Sequence, residues 1–495
     1  MRKFCTLILL FGAIAASASN RPACEALATA GLFKNTVVQS VQVVTRDSLP
    51  GSVAHCEVRA VVSPVAGSRI GVIYRLPDAW NDKLLGLGGA GWAGDIRFAA
   101  SQAPLARGYV TAQSDGGHES AELWDPSWAA RPVAVADFGW RAIHQMTLLG
   151  KDLIARYYGR AQTRAFFQGC STGGRQGLIE AQRFADDYDG VVAGAPVQSL
   201  LTQTSQLLRT LAFRAPGAAL TPGQLVKLNE ASLAACDGLD GLEDGIVTDP
   251  RACSFDPSAV ACSADVASPD CLSPAQVLAV RAIYSRVTTT NGGTAAYPIL
   301  PGDEAGWMRF IDVGAEQELG VGAQTAGLKN LRETLLKDRD FDLASFDPDK
   351  DLATVRGSPF AAQYEAVNPD LSAFVERGGK LILWHGFDDP GPSPLETLEY
   401  YEAAQAALGE RSKLFDAPVR LFLAPGVEHC GGGRGANTFD PLRALEDWVE
   451  RKDPPESMRG TRADGKLSRP ICRYPALPRY KGSGDPNDAA NFTCR

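Results

Sequence analysis

The chain has 495 residues, which is enough for more than one hydrophobic core. Its formal net charge of −8 argues against a nucleic-acid partner, because binding phosphates requires a basic patch. Beyond the N-terminal segment no long uncharged apolar run occurs, so we expect a mature protein without a membrane partner.

The first 18 residues, MRKFCTLILLFGAIAASA, have a basic start, an apolar core and a small-residue end, which is typical of a secretory signal peptide. The apolar core is shorter than the about 20 residues that span a bilayer, so we predict cleavage after Ala18. Removing Cys5 with this segment leaves ten of the 11 cysteines. An even count behind a signal peptide indicates disulfides, although spacing does not reveal their connectivity. The expected location is secreted or periplasmic.

Strand-like runs dominate the next part of the chain: SVQVV, RIGVIYRL, KLLGLGG, VTAQS and AFFQG. The glycine-rich loop GLGGAGWAG, which overlaps the third run, has two interpretations. It could supply a backbone amide to an oxyanion hole, with Gly89 preferred and Gly88 close behind. Alternatively, Gly86, Gly88 and Gly91 satisfy the GxGxxG pattern of a dinucleotide-dependent oxidoreductase. That pattern requires a helix at the third glycine, and WAGDIRFAASQAP is a poor candidate for one.

The AFFQG run leads into GCSTG at residues 169–173, a GxSxG pattern followed by an amphipathic stretch. Strand, sharp turn and helix are the setting of a nucleophile elbow, which exposes the serine oxygen. Ser171 is therefore the candidate nucleophile, and the amide of Thr172 is a candidate oxyanion donor. In a chain with 50 glycines, this short pattern is weak evidence alone.

About 170 residues follow before strand-like runs resume, which is too long for an ordinary connection. We interpret residues 198–367 as a lid domain inserted into one doubly wound α/β domain, built from residues 19–197 and 368–495. Trp307, Arg309 and Phe310 in EAGWMRFIDV could contact an aromatic acid from the lid, but the periodicity favours core packing, so we leave these three residues outside the candidate site.

Three aspartates of the lid, Asp237, Asp240 and Asp244, lie in a turn-rich loop between Cys236 and Cys253. Carboxylates this close in sequence suit a hard cation, which prefers oxygen ligands. The spacing differs from that of an EF-hand. The residues alone are compatible with either a metal site or a solvated acidic loop.

After the lid, the run KLILW is followed by HGFDDP, which contains His385, Asp388 and Asp389. An α/β-hydrolase places its acid in a loop at the C-terminal end of a parallel strand, so both aspartates are candidates. Because the chain order in that fold is serine, acid, histidine, His429 is the better base. We interpret His385 as a support for the acid loop.

A cysteine adjoins both the candidate nucleophile and the candidate base, as Cys170-Ser171 and His429-Cys430. The Cα atoms of bridged cysteines lie only about 4.4 to 6.8 Å apart. A disulfide between these two cysteines would therefore hold the serine and the histidine side by side.

Together, Cys170-Ser171, Asp389 and His429-Cys430 resemble the CS-D-HC constellation of the tannase and feruloyl esterase family. The resemblance covers nearly the whole mature chain and includes GCSTGGRQG, DLSAFVERGGKLILWHG and CDGLDGLEDGIVTDPRAC. It implies an α/β-hydrolase fold with a lid, and a catalytic triad of Ser171, His429 and Asp389.

The resemblance also implies a secreted esterase that acts on small esters of aromatic acids: feruloyl and other hydroxycinnamoyl esters first, galloyl esters second, terephthalate monoesters third. No redox cofactor is expected. A structural calcium ion is implied, held by the three aspartate side chains and the carbonyls of Leu242 and Ile246. The implied disulfides are Cys24–Cys56, Cys170–Cys430, Cys236–Cys253, Cys262–Cys271 and Cys472–Cys494.

Two hypotheses from other classes compete with the esterase. A dinucleotide-dependent oxidoreductase is not favoured, because a disulfide-rich secreted chain is not expected to bind a nicotinamide cofactor. A secreted binding protein that has lost its chemistry would not be expected to keep all three triad residues. The sequence leaves the oligomeric state open.

Overall fold

A computed structural model describes residues 21–45, 53–263, 268–314, 318–319, 325–414 and 417–495. The predicted signal peptide, residues 1–18, lies outside these ranges, so its cleavage stays a prediction. Within the described ranges, no helix combines the length and the apolar character needed to cross a bilayer.

Fifteen strands occur in the described residues. They are β1 (Thr36–Val44), β2 (His55–Val62), β3 (Ile70–Pro77), β4 (Lys83–Leu87), β5 (Val110–Ser114), β6 (Arg164–Cys170), β7 (Gly190–Gly194), β8 (Val287–Thr288), β9 (Thr294–Ala296), β10 (Lys380–Gly386), β11 (Val419–Ala424), β12 (Ser457–Thr461), β13 (Ser468–Cys472), β14 (Pro478–Tyr480) and β15 (Phe492–Cys494). Nine of them form the central sheet, in the order β1-β2-β3-β5-β4-β6-β7-β10-β11. The pairs from β5 to β11 are parallel, and those from β1 to β5 are antiparallel.

Fourteen α-helices accompany the strands in the described residues. They are α1 (Arg21–Ala26), α2 (Phe98–Ala106), α3 (Pro132–Ala136), α4 (Ala142–Tyr158), α5 (Thr172–Arg183), α6 (Leu201–Ala212), α7 (Pro222–Cys236), α8 (Pro274–Ile283), α9 (Leu328–Asn330), α10 (Pro348–Arg356), α11 (Pro359–Tyr364), α12 (Ser372–Glu376), α13 (Pro394–Leu408) and α14 (Pro441–Arg451). Six of them, α7, α8, α10, α11, α13 and α14, begin with proline after a serine, threonine or aspartate cap. Proline suits this position because its fixed φ is helical and its missing N–H would have no partner there.

The central sheet is buried on both faces, which explains the apolar runs in the sequence. Neighbouring residues of one strand belong to different cores: Leu84 packs on one face and Leu85 on the other, as do Val191 and Val192. Helices α4, α5 and α13 cover the first face, and α14 covers the second. The prediction of an α/β fold with a mostly parallel sheet is confirmed.

Residues 198–367 connect β7 to β10 and contribute no strand to the central sheet in their described part. Their helices, α6 to α11, accompany a short hairpin of β8 and β9. Phe213, Leu228 and Trp307 belong to a separate core in this region. The division into a lid and a catalytic domain stays a prediction.

Five disulfides join the ten cysteines in the pairing that the resemblance implies. The longest link in sequence is Cys170–Cys430, with Cα atoms 5.9 Å apart. It fastens the end of β6 to the loop that follows β11. Two distant parts of the chain are thereby held together at the carboxyl ends of the parallel strands.

Candidate active site

Ser171 lies in the sharp turn between β6 and α5 and has a φ of 63°, a backbone conformation that side chains rarely adopt. The backbone around this turn is packed so closely that only glycine fits at some of the neighbouring positions. A Cβ atom on Gly169 would lie 2.4 Å from the backbone of Gly173, and so would a Cβ atom on Gly88. The turn therefore has the geometry of a nucleophile elbow.

Asp389 lies against His429 at the ends of two neighbouring strands. The Nδ1 atom of His429 is 2.6 Å from Asp389 Oδ2, and the Nε2 atom of His385 is 3.1 Å from the same oxygen. Burial alone would raise the pKa of Asp389, but the adjacent histidines outweigh it and hold that pKa well below its usual range. The carboxylate therefore stays charged. Asp388, also buried, is not bonded to His429, and burial raises its pKa.

A buried arginine from the lid holds the loop that carries Asp389. The guanidinium of Arg209 donates to the carbonyls of Pro390 and Gly391, both at 3.0 Å, and to the carbonyl of Tyr297 at 2.9 Å. Burial lowers the pKa of Arg209 to about 10, although the nearby Asp389 opposes the shift. The rigid fork of donors lets one side chain fix several carbonyls.

Ser171 and His429 line the same two pockets, next to the Cys170–Cys430 disulfide. Among the hydrogen bonds of the described residues, none joins Ser171 to His429. The Nε2 atom of His429 instead lies 3.7 Å from Cys430 Sγ. The geometry brings serine, histidine and aspartate together, and their catalytic roles stay a prediction.

The predicted oxyanion donors differ in whether their backbone amides already donate a hydrogen bond within the protein. Thr172 is the first residue of α5, where helix amides lack partners within the helix. The amide of Gly89, by contrast, donates to Gln176 Oε1 at 2.9 Å. The amide of Gly88 donates to the Gln168 carbonyl at 3.0 Å. A substrate oxygen would have to compete with Gln176 for Gly89, so that assignment stays a prediction.

Two pockets meet at Ser171 and His429. The inner pocket is further lined by Trp92, Trp124, Val197, Thr202, Gln203, Gln206, Phe310 and Tyr364. Its volume is about 30 Å³, so the inner pocket is narrow. The outer cleft has a volume of about 640 Å³ and is lined by residues 88–91, Asp95, Arg97, Trp124, Gln206, Arg309 and Phe310.

Phe310 and Arg309 line the pockets at Ser171 and His429, although the prediction left both residues outside the candidate site. The ring of Phe310 stands at 90° to the imidazole of His429, with centroids 5.3 Å apart. Trp307 of the same segment is fully buried in the lid core, as predicted. Periodicity indicates which residues of a segment are apolar, but not that one of them faces a second domain.

The glycine-rich loop does not have the geometry of a dinucleotide-binding turn. The next α-helix, α2, begins only at Phe98, seven residues after Gly91. The carbonyl of Gly91 instead accepts a hydrogen bond from the hydroxyl of Thr172 at 2.8 Å. The loop thus packs against the nucleophile turn, and the structure does not support an oxidoreductase.

The predicted calcium loop is closed by protein hydrogen bonds. All six carboxylate oxygens of Asp237, Asp240 and Asp244 accept one: four from backbone amides of the loop, the others from Thr248 and Arg469. Throughout the described ranges, no group of three or more histidine, cysteine or acidic side chains is arranged to hold a metal. The donor types suit calcium, although in this arrangement each carboxylate oxygen already accepts a hydrogen bond from the protein. Calcium binding stays a prediction.

Comparisons with known proteins agree with the geometry. The family model described as tannase and feruloyl esterase matches residues 56–495. The mono(2-hydroxyethyl) terephthalate hydrolase of Piscinibacter sakaiensis is 32% identical over 96% of this chain and 92% of its own. A probable feruloyl esterase of Arthroderma benhamiae is 35% identical over 86% and 82% of the two chains. The crystal structure of feruloyl esterase B from Aspergillus oryzae superposes with a TM-score of 0.86 at 27% identity, covering 96% of this chain and 100% of that one. The chain therefore belongs to the tannase and feruloyl esterase family and is a carboxylic ester hydrolase.

Proposed function

We propose that the protein is a secreted serine esterase that hydrolyses esters of aromatic acids, with Ser171 as its nucleophile. The observation that carries the proposal is the Cys170–Cys430 disulfide, which fastens the nucleophile turn to the loop of His429. The 2.6 Å contact between His429 and Asp389 supplies an oriented base. A nucleophile, a base and an acid that orients the base are the parts that acyl transfer requires.

The reaction proceeds in two steps. Ser171 attacks the ester carbonyl while His429 accepts its proton and Asp389 stabilises the charged imidazole. Backbone amides, with Thr172 and Gly89 as candidates, stabilise the oxyanion, and His429 then protonates the departing alcohol. In the second step, water activated by His429 releases the acid from the acyl-enzyme. Neither step needs a redox cofactor.

The lining of the inner pocket favours a substrate with an aromatic acyl group. Its walls include Trp92, Trp124, Phe310 and Tyr364, against which an aromatic ring can stack or make edge contacts. Feruloyl and related hydroxycinnamoyl esters are the first choice, in line with the names of several relatives. Galloyl esters and terephthalate monoesters are the alternatives.

Secretion is supported by the five disulfides, because such bonds persist in oxidising compartments. The predicted signal peptide at residues 1–18 agrees with export. Calcium, if bound at the loop of Asp240, would have a structural role and take no part in ester cleavage.

Kinetics of the purified mature protein test the proposal. Initial rates would be measured on methyl ferulate, methyl gallate, mono(2-hydroxyethyl) terephthalate and p-nitrophenyl acetate. Ser171→Ala should abolish nearly all turnover and leave the fold intact. Ser127→Ala, an exposed serine outside both pockets, is the matched control and should retain wild-type rates. Turnover that survives in Ser171→Ala would contradict the assignment.

A further inference from the structure

We propose that the inner pocket selects acyl rings that carry uncharged hydroxyl groups and disfavours acyl rings that carry a second carboxylate. Thr202 and Gln203, in the first turn of α6, are the residues that we assign to reading the hydroxyl. This inference rests on the proposed function, because it concerns the acid half of the same ester.

The first argument is that Thr202 and Gln203 have unpaired buried atoms at the pocket. Both residues line it, and within the described part of the chain neither Thr202 Oγ1 nor Gln203 Oε1 has a hydrogen-bond partner. Gln203 is only 5% exposed. Buried polar atoms are almost always paired, because leaving one unpaired costs its full desolvation. A hydroxyl can donate to the Gln203 carbonyl oxygen and bond Thr202 in either direction, so a phenolic group satisfies both.

Two further polar groups lie at the same pocket. The hydroxyl of Tyr364 interacts with Trp92 and Thr172, but among the described residues neither this hydroxyl nor the Trp92 N–H has a partner at full hydrogen-bond geometry. Both side chains can donate to an oxygen atom. Burial raises the pKa of Tyr364, so its hydroxyl keeps its proton and remains a donor. The inner pocket thus offers donors as well as an acceptor, which suits groups that do both.

The second argument is charge. Among the residues that the structure describes, neither a lysine nor an arginine lines the inner pocket. Arg209, which lies on the same helix as Thr202 and Gln203, uses its donors on the carbonyls of the Asp389 loop. The arginines at the active site, Arg97 and Arg309, lie in the outer cleft, where each pairs with an acidic side chain. A carboxylate buried in the inner pocket would lose its hydration without gaining a cation. Terephthalate monoesters are therefore the weakest of the three substrate classes.

Methyl esters with one leaving group and different rings test the selection. In both the cinnamate and the benzoate series, kcat/KM would be compared for the 3,4-dihydroxy, the unsubstituted and the 3,4-difluoro ester, and with monomethyl terephthalate. Fluorine is close to hydroxyl in size but cannot donate, and it makes the ester more reactive, so it biases the test against our proposal. We expect kcat/KM for the dihydroxy ester to exceed kcat/KM for the unsubstituted and difluoro esters by about 10-fold or more in at least one series. A site that hydrogen-bonds a substrate hydroxyl discriminates against rings that lack one. Monomethyl terephthalate should be the poorest.

Gln203→Met and Thr202→Val remove the bonding atoms with little change in size. Each should lower the ratio of dihydroxy to difluoro kcat/KM by about 10-fold, the loss expected for one hydrogen bond to substrate. This ratio is independent of the fraction of active enzyme, so a partly misfolded variant remains informative.

The proposal is overturned if the wild type prefers monomethyl terephthalate, or if it shows no preference for the hydroxylated rings. It is also overturned if neither variant changes the ratio. In each of these cases, turnover that is lost in Ser171→Ala leaves the proposed esterase function standing. Turnover that persists in Ser171→Ala would instead refute the function itself.

Discussion

Replacing both Cys170 and Cys430 with serine should cost the protein stability and catalytic rate together. This disulfide joins residues 260 apart in sequence, so a chain-entropy treatment gives a loss of about 5 to 6 kcal/mol in the free energy of unfolding. The Cys262–Cys271 disulfide has a separation of 9, for which the same treatment gives about 2.5 kcal/mol. Replacing that pair is the matched control.

The loss of rate comes from the position of His429. Cys430 adopts a φ of 58°, so the backbone beside His429 is strained and depends on its surroundings. Without the disulfide, the imidazole keeps its bond to Asp389 but loses its covalent link to the nucleophile turn. A displacement of about 1 Å can cost about 10²-fold in rate. We expect kcat to fall about 10- to 100-fold in the Cys170/Cys430 variant, and to stay at the wild-type value in the control.

The assay combines denaturant unfolding with steady-state kinetics on methyl ferulate, at a temperature where both double variants are folded. The expected pattern is a larger stability loss and a selective fall in kcat for the Cys170/Cys430 variant. Equal kcat values in the two folded variants would refute the view that the disulfide aligns serine and histidine. A stability loss no greater than that of the control would refute the entropy argument.

Three further predictions concern the lid. Burial and the neighbouring Glu428 raise the pKa of Asp303 to about 7, so the unfolded chain loses this proton at lower pH than the folded protein does. Wild-type stability should therefore fall as pH rises towards 7, while Asp303→Asn should show a flatter profile of melting temperature; parallel profiles would contradict this. Arg209→Lys should lower kcat about 10-fold with little change in KM, because lysine cannot bond several carbonyls at once, whereas the exposed Arg281→Lys should match the wild type in the same kinetics. If the predicted calcium loop binds its ion, CaCl2 at about 100 times Kd should stabilise the wild type by about 2.7 kcal/mol but not Asp240→Asn, and equal melting temperatures with CaCl2 and with EDTA would remove calcium from the description.

The central sheet could be predicted because its strands are buried on both faces. AFFQG and KLILW stand out as apolar runs and correspond to parts of β6 and β10. That Ser171 and His429 line the same pockets could be inferred because each residue adjoins a cysteine, and a disulfide brings the two neighbours close together. Here a local pattern carries long-range information.

Other features of the site could not be read from the sequence, because they depend on how the lid docks. Phe310 lies in an apolar segment, and only the docked lid turns its ring towards His429. Arg209 looks like an ordinary polar residue of an amphipathic helix until its carbonyl partners in the acid loop are known. The engagement of the Gly89 amide by Gln176 likewise requires the packing of α5 against the glycine-rich loop.

The anchoring of the acid loop by Arg209 limits how this enzyme can be re-engineered. A segment that shapes the substrate pocket would be an obvious piece to graft from a relative in order to change selectivity. In this chain, however, the same helix that carries Thr202 and Gln203 also supports the loop of Asp389. A lid taken from a relative without an arginine at this position would change the substrate preference. It would also remove the support of the loop that carries Asp389. Exchanging this segment would therefore alter substrate selectivity and catalytic rate together, and chimaeras should be designed to retain Arg209.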